Sequence, residues 1–303
     1  MLMTVNNGSS SSNAPNAEEL EKTAAERWGQ NWRRFAKNKG AVMGAAVAVF
    51  MILMAVFAPV VSPHDPVKSL LTDSLKPPSR QFLMGTDQLG RDILTRIIFG
   101  SRISLTVGLV VQGISITIGT TVGLLSGYMG GRVDDLLSGL INIVYAFPSL
   151  LFAIAVLAVL GPGMYNVFIA LGLVGWATVA RLVRGEVLSI KQREFVEAAR
   201  ALGSNNRRVI LKHVLPNCFG PIIVVGTLGV ANAILSEATL SFLGLGTRPP
   251  TPSWGSMLSQ GREFVWSAPW MTIFPGVAIF VTILGLNMLG DGLRDVLDPR
   301  LRQ

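Results

Sequence analysis

EFVEAARALGSNNRRVILKHVLPN, residues 194–217, is a charged and helix-patterned stretch lodged between two long apolar segments. A handful of residues can join two apolar spans. Here the polar connection runs from 182 to 217, with Gly203 in its middle and Pro216 at its end. Over 186–202, Val187, Ile190, Phe195, Ala198, Ala199 and Leu202 recur at helical spacing, and Arg193, Glu194, Glu197 and Arg200 fall around the other face. Gly203 suits the left-handed residue that ends a helix. Ser204 or Asn205 then caps a second short helix with Val209, Ile210 and Val214 on one side. Pro216 is expected to terminate it. The pattern predicts a helix–turn–helix that can fill a groove on a soluble partner. Ala198, Ala199 and Gly203 are small enough for close backbone approach. On periodicity alone, a solvated loop with incidental helices competes with this reading.

The flanking segments decide the class. Only 15% of the chain is charged and 50% is hydrophobic, against about 25% charged in a soluble domain. No Asp, Glu, Lys or Arg occurs in 40–61, 103–131, 136–180, 214–236 or 264–290. About 20 apolar residues span a bilayer. The run 136–180 is too long for one helix, and Gly161-Pro162-Gly163 divides it. Six spans are expected, over 40–61, 103–128, 136–160, 164–181, 218–237 and 269–290, in an all-α polytopic membrane protein. Pro148 should kink the third.

Lys and Arg orient the spans. With the N-terminus inside, inner segments hold 18 of the 26 basic residues, including those of 181–213. Both termini and the opening stretch are then cytoplasmic, and the net charge of +8 is mainly a topology signal. Basic residues spread over several loops argue against nucleic-acid binding. Residues 1–24 read as a polar, low-complexity disordered leader. Residues 25–39 read as an amphipathic helix at the inner membrane surface, with Trp28, Trp32 and Phe35 among Arg33, Arg34, Lys37 and Lys39. The first span, 40–61, is an uncleaved anchor, 62–102 an outer loop, 103–290 a five-helix core and 291–303 a cytoplasmic tail. In that tail Asp291, Arg294, Asp295 and Asp298 follow the last span directly, and Arg294 lies within helical reach of Asp291. A local cap for the sixth helix is the expectation there.

Chemistry is scarce. There is no G-x-x-x-x-G-K-[ST] loop to cradle ATP and no H-E-x-x-H. His64 and His213 fall on opposite sides of the membrane, and Cys218 is the only cysteine. No cofactor or metal is expected on this chain, and an enzyme is disfavoured. Mid-span polar residues are Gln112, Asn142, Asn232 and Asn287, read either as interhelical hydrogen bonds or as lining a solute path. Glu237 could join that path or simply mark the water boundary. Gly119, Gly123 and Gly127 form a G-x-x-x-G-x-x-x-G ridge for close helix packing. A self-sufficient secondary carrier or channel would need ionisable residues within the spans, and none is seen at mid-depth. A membrane-embedded enzyme would need paired catalytic groups at one depth.

The opening stretch resembles the loop of bacterial ABC importer permeases, whose pattern is E-A-A, three residues, G, nine residues, I-x-L-P. Here it reads Glu197-Ala198-Ala199, Gly203, then His213-x-Leu215-Pro216, with His213 in place of isoleucine. MGTDQLGRDILTRIIFGSRISL (84–105) is similar to the segment before the second span in the dipeptide/oligopeptide/nickel permeases, with Thr95 replacing a serine. SFLGLGTRPPTPSWGSML (241–258) and LGDGLRDVLDPRL (289–301) match as well. The resemblance covers 35–303 and points to the dipeptide-type C subunit.

That resemblance implies a type I ABC importer permease fold in a bacterial inner membrane. Glu197, Ala198, Ala199, Gly203, His213, Leu215 and Pro216 would form the coupling helix region that docks on the ATPase. The implied partners are a similar second permease, two ATP-binding subunits that use ATP and Mg, a periplasmic binding protein, membrane lipid and a small solute. Dipeptides or short oligopeptides lead; glutathione and nickel complexes are alternatives. Arg91, Asp92 and Arg96, beside Ile93, Ile97 and Ile98, are the candidates for a periplasmic gate or binding-protein contact. An interfacial helix packed on its own bundle is the competing reading of that segment.

Overall fold

The structure is a computed structural model that describes residues 24–297. Leader residues 1–23 and tail residues 298–303, Asp298 among them, lie outside the described residues. Apart from a largely irregular segment over 62–92, the described chain is mainly helical, a short helix Ala58–Val61 following the second of its main helices, which run in the order α1 (Ala24–Lys37), α2 (Lys39–Val56), α3 (Ile93–Met129), α4 (Gly131–Ala146), α5 (Ser149–Leu160), α6 (Met164–Ile190), α7 (Glu194–Ala201), α8 (Asn206–Val209), α9 (Leu215–Phe242), α10 (Trp254–Gly261) and α11 (Trp270–Leu297). A π turn, Ile210–Val214, joins α8 to α9. Five helical stretches are long and apolar enough to cross a membrane, and α4 with α5 makes a sixth crossing if counted as one broken span.

The third span differs from a kinked helix. It turns through 89° between α4 and α5. Phe147 is extended, with φ −100° and ψ 136°, because the ring of a following proline excludes the helical conformation at the residue before it. Pro148 also has no N–H with which to continue α4.

Several helices overrun their charge-free cores. α3 starts at Ile93, so 93–102 is helix rather than part of the outer loop expected over 62–102. Asp92 caps it, accepting from the Thr95 N–H at 3.0 Å. α6 continues to Ile190 and α11 to Leu297. Charges mark where polar surroundings begin, not where backbone hydrogen bonding ends.

Small residues set the closest helix approaches. The ridge on α3 meets α6 directly: a Cβ on Gly119 would lie 2.6 Å from the Trp176 carbonyl oxygen, and one on Gly123 2.6 Å from that of Ala180. Without side chains there, backbones come together and dispersion contacts replace lipid. A second contact of this kind joins α2 to α11, where a Cβ on Gly44 would lie 2.5 Å from the Gly285 carbonyl oxygen. At the inner end Asn38 accepts from the Ala41 N–H at 3.1 Å and donates through Nδ2 to Asp295 Oδ2 at 3.1 Å. The end of α11 is thus tied to the start of α2. Among the described residues Arg294 forms no ion pair with Asp291, so the expected local pair is replaced by this tie.

Candidate functional site

The inner loop is built on the lower ends of α3 and α6. The single helix expected over 186–202 is two, because α6 stops at Ile190 and α7 starts at Glu194. Lys191 at the break donates Nζ to the Gly127 carbonyl at 2.8 Å. The apolar residues of α7 do not share one face. Val196 and Ala199 turn inward onto Tyr128, Val187, Val209 and Val214. Phe195, Ala198 and Leu202 turn outward, Leu202 being 86% exposed. Glu197 is exposed beside them and has no ion-pair partner among the described residues.

Gly203 ends α7 with φ +77°. Its N–H donates to the Arg200 carbonyl at 2.9 Å and the Ser204 N–H to that of Ala199 at 3.1 Å, the paired closure of a Schellman motif. A Cβ on Gly203 would meet nothing within 4 Å. Arg200 lies 4.8 Å from the centre of the Tyr128 ring, and the Tyr128 hydroxyl reaches Asn206 Oδ1 at 3.3 Å. Asn205 caps α8, accepting from the Arg208 N–H at 2.8 Å. His213 and Leu215 are half-buried. Pro216 does not terminate the helix as expected. It lies in the first turn of α9, where a missing N–H is tolerated, and the π turn carries the chain from α8 into α9.

A bidentate pair braces the loop from the side. Arg184 donates Nε and Nη2 to the two Asp134 oxygens, each at 2.7 Å. Ser138 adds a 3.0 Å bond to the same carboxylate, and Ser126 on α3 also bonds to it. Nothing in the sequence pattern singled out this pair, because its members are 50 residues apart.

Between α3, α5, α6 and α9 lies a cavity of about 510 Å³. Its polar lining is neutral: Gln112, Ser115, Ser149, Thr178, Asn232 and Ser236. Of the candidate path residues Gln112 and Asn232 lie there. Asn142 instead accepts from Arg181 Nη2 at 3.3 Å, and Asn287 is exposed on α11 away from the cavity. Glu237 is 1% exposed and neither lines the cavity nor marks a water boundary. The serine and threonine lining was missed because amides alone were weighed; hydroxyls in apolar spans usually bond back to their own helix, as Ser236 does to the Asn232 carbonyl at 2.8 Å.

At the outer end Arg91, Asp92 and Arg96 are buried, at 4%, 3% and 1% exposure. Direct contact with a soluble binding protein is therefore corrected: these side chains offer it no surface. Asp87 Oδ2 pairs with Arg91 Nε at 2.7 Å and lies 3.6 Å from Arg96 Nε. Arg91 also reaches Gln260 Oε1 at 3.1 Å, and Arg96 the Pro66 carbonyl at 3.1 Å. Asp92 accepts from the Thr95 hydroxyl at 2.6 Å and lies 3.4 Å from His64 Nδ1. The network fastens the outer segment to α3 and α10. Helical spacing could not reveal this, since the burying partners come from distant parts of the chain.

Residues 119–303 match the model of the binding-protein-dependent transport system inner membrane component, and 26–78 that of the N-terminal TM domain of oligopeptide transport permease C. The chain is 45% identical over 290 residues to the dipeptide transport system permease protein DppC of Alkalihalophilus pseudofirmus, covering 96% of this chain and 95% of that one. It is 43% identical over 291 residues to the oligopeptide transport system permease protein OppC of Bacillus subtilis, with the same coverage of each. It is 41% identical over 283 residues to the glutathione transport system permease protein GsiD of Pectobacterium atrosepticum, covering 93% and 94%. Among solved structures, inward-facing conformations of the MetNI methionine ABC transporter superpose with a TM-score of 0.57 at 17% identity, over 67% of this chain and 96% of that one. That likeness is one of fold.

Proposed function

The chain belongs to the family of binding-protein-dependent transport system inner membrane components, and from that membership we propose that it pairs with a similar second permease to carry short peptides inward. It is a multi-pass permease subunit of an ABC importer. Two ATP-binding subunits would supply ATP and Mg chemistry from below, and a periplasmic binding protein would deliver the solute. ATPase closure and reopening would switch access to the path from outside to inside.

One observation carries the reading: α7 presents Phe195, Ala198, Leu202 and Glu197 away from its own bundle while Val196 and Ala199 root it to α3 and α6. An apolar tip with one carboxylate, rigidly mounted, suits a groove on a soluble motor. The peptide assignment rests on the relatives' names and on the cavity's neutral polar lining, which can hydrogen-bond amides without demanding a net charge. Glutathione fits the same chemistry.

The test is purification of the tagged chain from its native membrane in mild detergent, followed by reconstitution. A second permease chain and ATP-binding chains should accompany it, and ATP-dependent peptide uptake should require the binding protein. A chain that arrives alone and transports alone would overturn the proposal.

A further inference from the structure

Glu237 is a carboxylate on α9, buried to 1% exposure, with no cation within ion-pair reach among the described residues. Such a group is costly unless hydrogen bonds satisfy it. Its partners are hydroxyls from different elements. Oε1 accepts from Ser241, one turn on, at 2.6 Å. Oε2 accepts from Ser104 of α3 at 3.4 Å. The Ser253 hydroxyl, at the start of α10, accepts from the Ser256 N–H at 3.3 Å. The knot is tightly wrapped. Trp254 is fully buried and donates Nε1 to the Ile97 carbonyl at 3.0 Å. A Cβ on Gly255 would lie 2.3 Å from the Ala238 carbonyl oxygen, so α10 rests on α9 beside Glu237.

Its place matters as much as its bonds. The cavity lining reaches its outer limit at Ser236 on α9 and Val111 on α3. Glu237 is the next residue outward on α9, and Ser104 lies two turns outward of Val111 on α3. We propose that Glu237 is the latch of the outer gate: by holding Ser104 and Ser241 it ties α3 to α9, with α10 packed against them, over the outer end of the cavity, and solute entry requires this tie to open. The proposal rests on the permease reading above and adds a positioning residue to it.

The lone, buried cysteine makes the test clean. Right-side-out membranes bearing the whole transporter, with Cys218→Ser and Asn232→Cys in this chain, are treated from outside with an impermeant maleimide in the absence of binding protein. The parent labels slowly. Glu237→Ala raises the outside labelling rate about tenfold, the scale expected for losing two or more such hydrogen bonds. Glu237→Gln keeps an acceptor for Ser241 and labels at the parent rate. Inside-out vesicles label equally in all three, which separates an unlatched gate from a loosened fold. Parent-rate labelling of Glu237→Ala, a matching rise in Glu237→Gln, or an equal rise on both sides overturns the latch. If Glu237→Ala does not reach the membrane, the Ser104→Ala, Ser241→Ala double variant decides by the same criteria. Uptake by the native complex is scored separately: its absence overturns the permease reading, whereas uptake with unchanged labelling overturns the latch alone.

Discussion

Gly203 serves the loop through its backbone, because φ +77° is a conformation that other residues enter at a cost of about 1–2 kcal/mol. The space around it is open, so a side chain there meets the docked partner rather than its own chain. Gly203→Asp and Glu197→Lys should abolish uptake while membrane abundance stays normal. The ATPase subunits should either detach or hydrolyse ATP without transport. Gly203→Asn separates shape from bulk, since asparagine tolerates the turn; ATPase co-purification should still fall about tenfold, or ~1.4 kcal/mol. Near-normal uptake by Gly203→Asp would restore the solvated-loop reading. Asp87 calls for a different measurement. Removing it leaves Arg91 and Arg96 buried without their carboxylate, so Asp87→Ala should destabilise by about 3–5 kcal/mol. That appears as a lowered melting temperature in detergent, with binding-protein affinity unchanged in the surviving protein. The Gly203 turn and the Asn205 cap were readable because both are local: the residue type and its neighbours determine them. The burial of Arg91 and Arg96 was not, since an arginine beside an apolar set looks the same whether its partner is water or an aspartate folded back over it.

At the level of helices, two glycines on α3 make opposite predictions. A Cβ at Gly123 would lie 2.6 Å from the Ala180 carbonyl oxygen, whereas one at Gly113 would meet nothing within 4 Å. Gly123→Leu must therefore push α6 away, at a cost of about 1–3 kcal/mol. Membrane abundance should fall several-fold, as shifts of this size typically produce, while Gly113→Leu should accumulate normally. Equal abundance of the two would show that the ridge is not the α3–α6 contact. The ridge was legible because its four-residue period matches the helix. The matching contact of Gly44 on Gly285 was not, because its halves lie on spans far apart in the chain. The right-angle break at Pro148 was half legible: proline announces an interruption, but the size of the turn depends on what α4 and α5 pack against. The opposed faces of α7 were lost for a similar reason, since three residues at its start reset the helical phase inherited from α6.

For the whole molecule, the charge count predicts which ends of the spans face the cytoplasm, and a fusion can check it. Alkaline phosphatase joined after Pro78, an exposed position in the outer segment, should be active; an inactive fusion would invert the topology. Five of the six expected crossings were legible as long apolar helices, because charge-free length reflects the bilayer's thickness, while the sixth is the broken pair α4 and α5. The neutral cavity was not, because it exists only where four helices diverge. The π turn at Ile210–Val214 has one more consequence. From Asn206 to Phe242 the backbone is a single helical stretch of 37 residues, about 55 Å at 1.5 Å per residue. It links the 194–217 loop to Glu237 through Pro216 and Pro221, and the π turn accommodates one surplus residue within it. Such a shaft has a phase as well as a length. Deleting Lys212 would let the turn relax to an ordinary α-helix and leave the two ends in phase, because the wide turn has absorbed the surplus residue. Deleting Val224, beyond the turn, removes a residue that nothing absorbs and would rotate one end about 100° against the other. The Lys212 deletion should therefore transport, and the Val224 deletion should be a folded crankshaft with its throws misaligned.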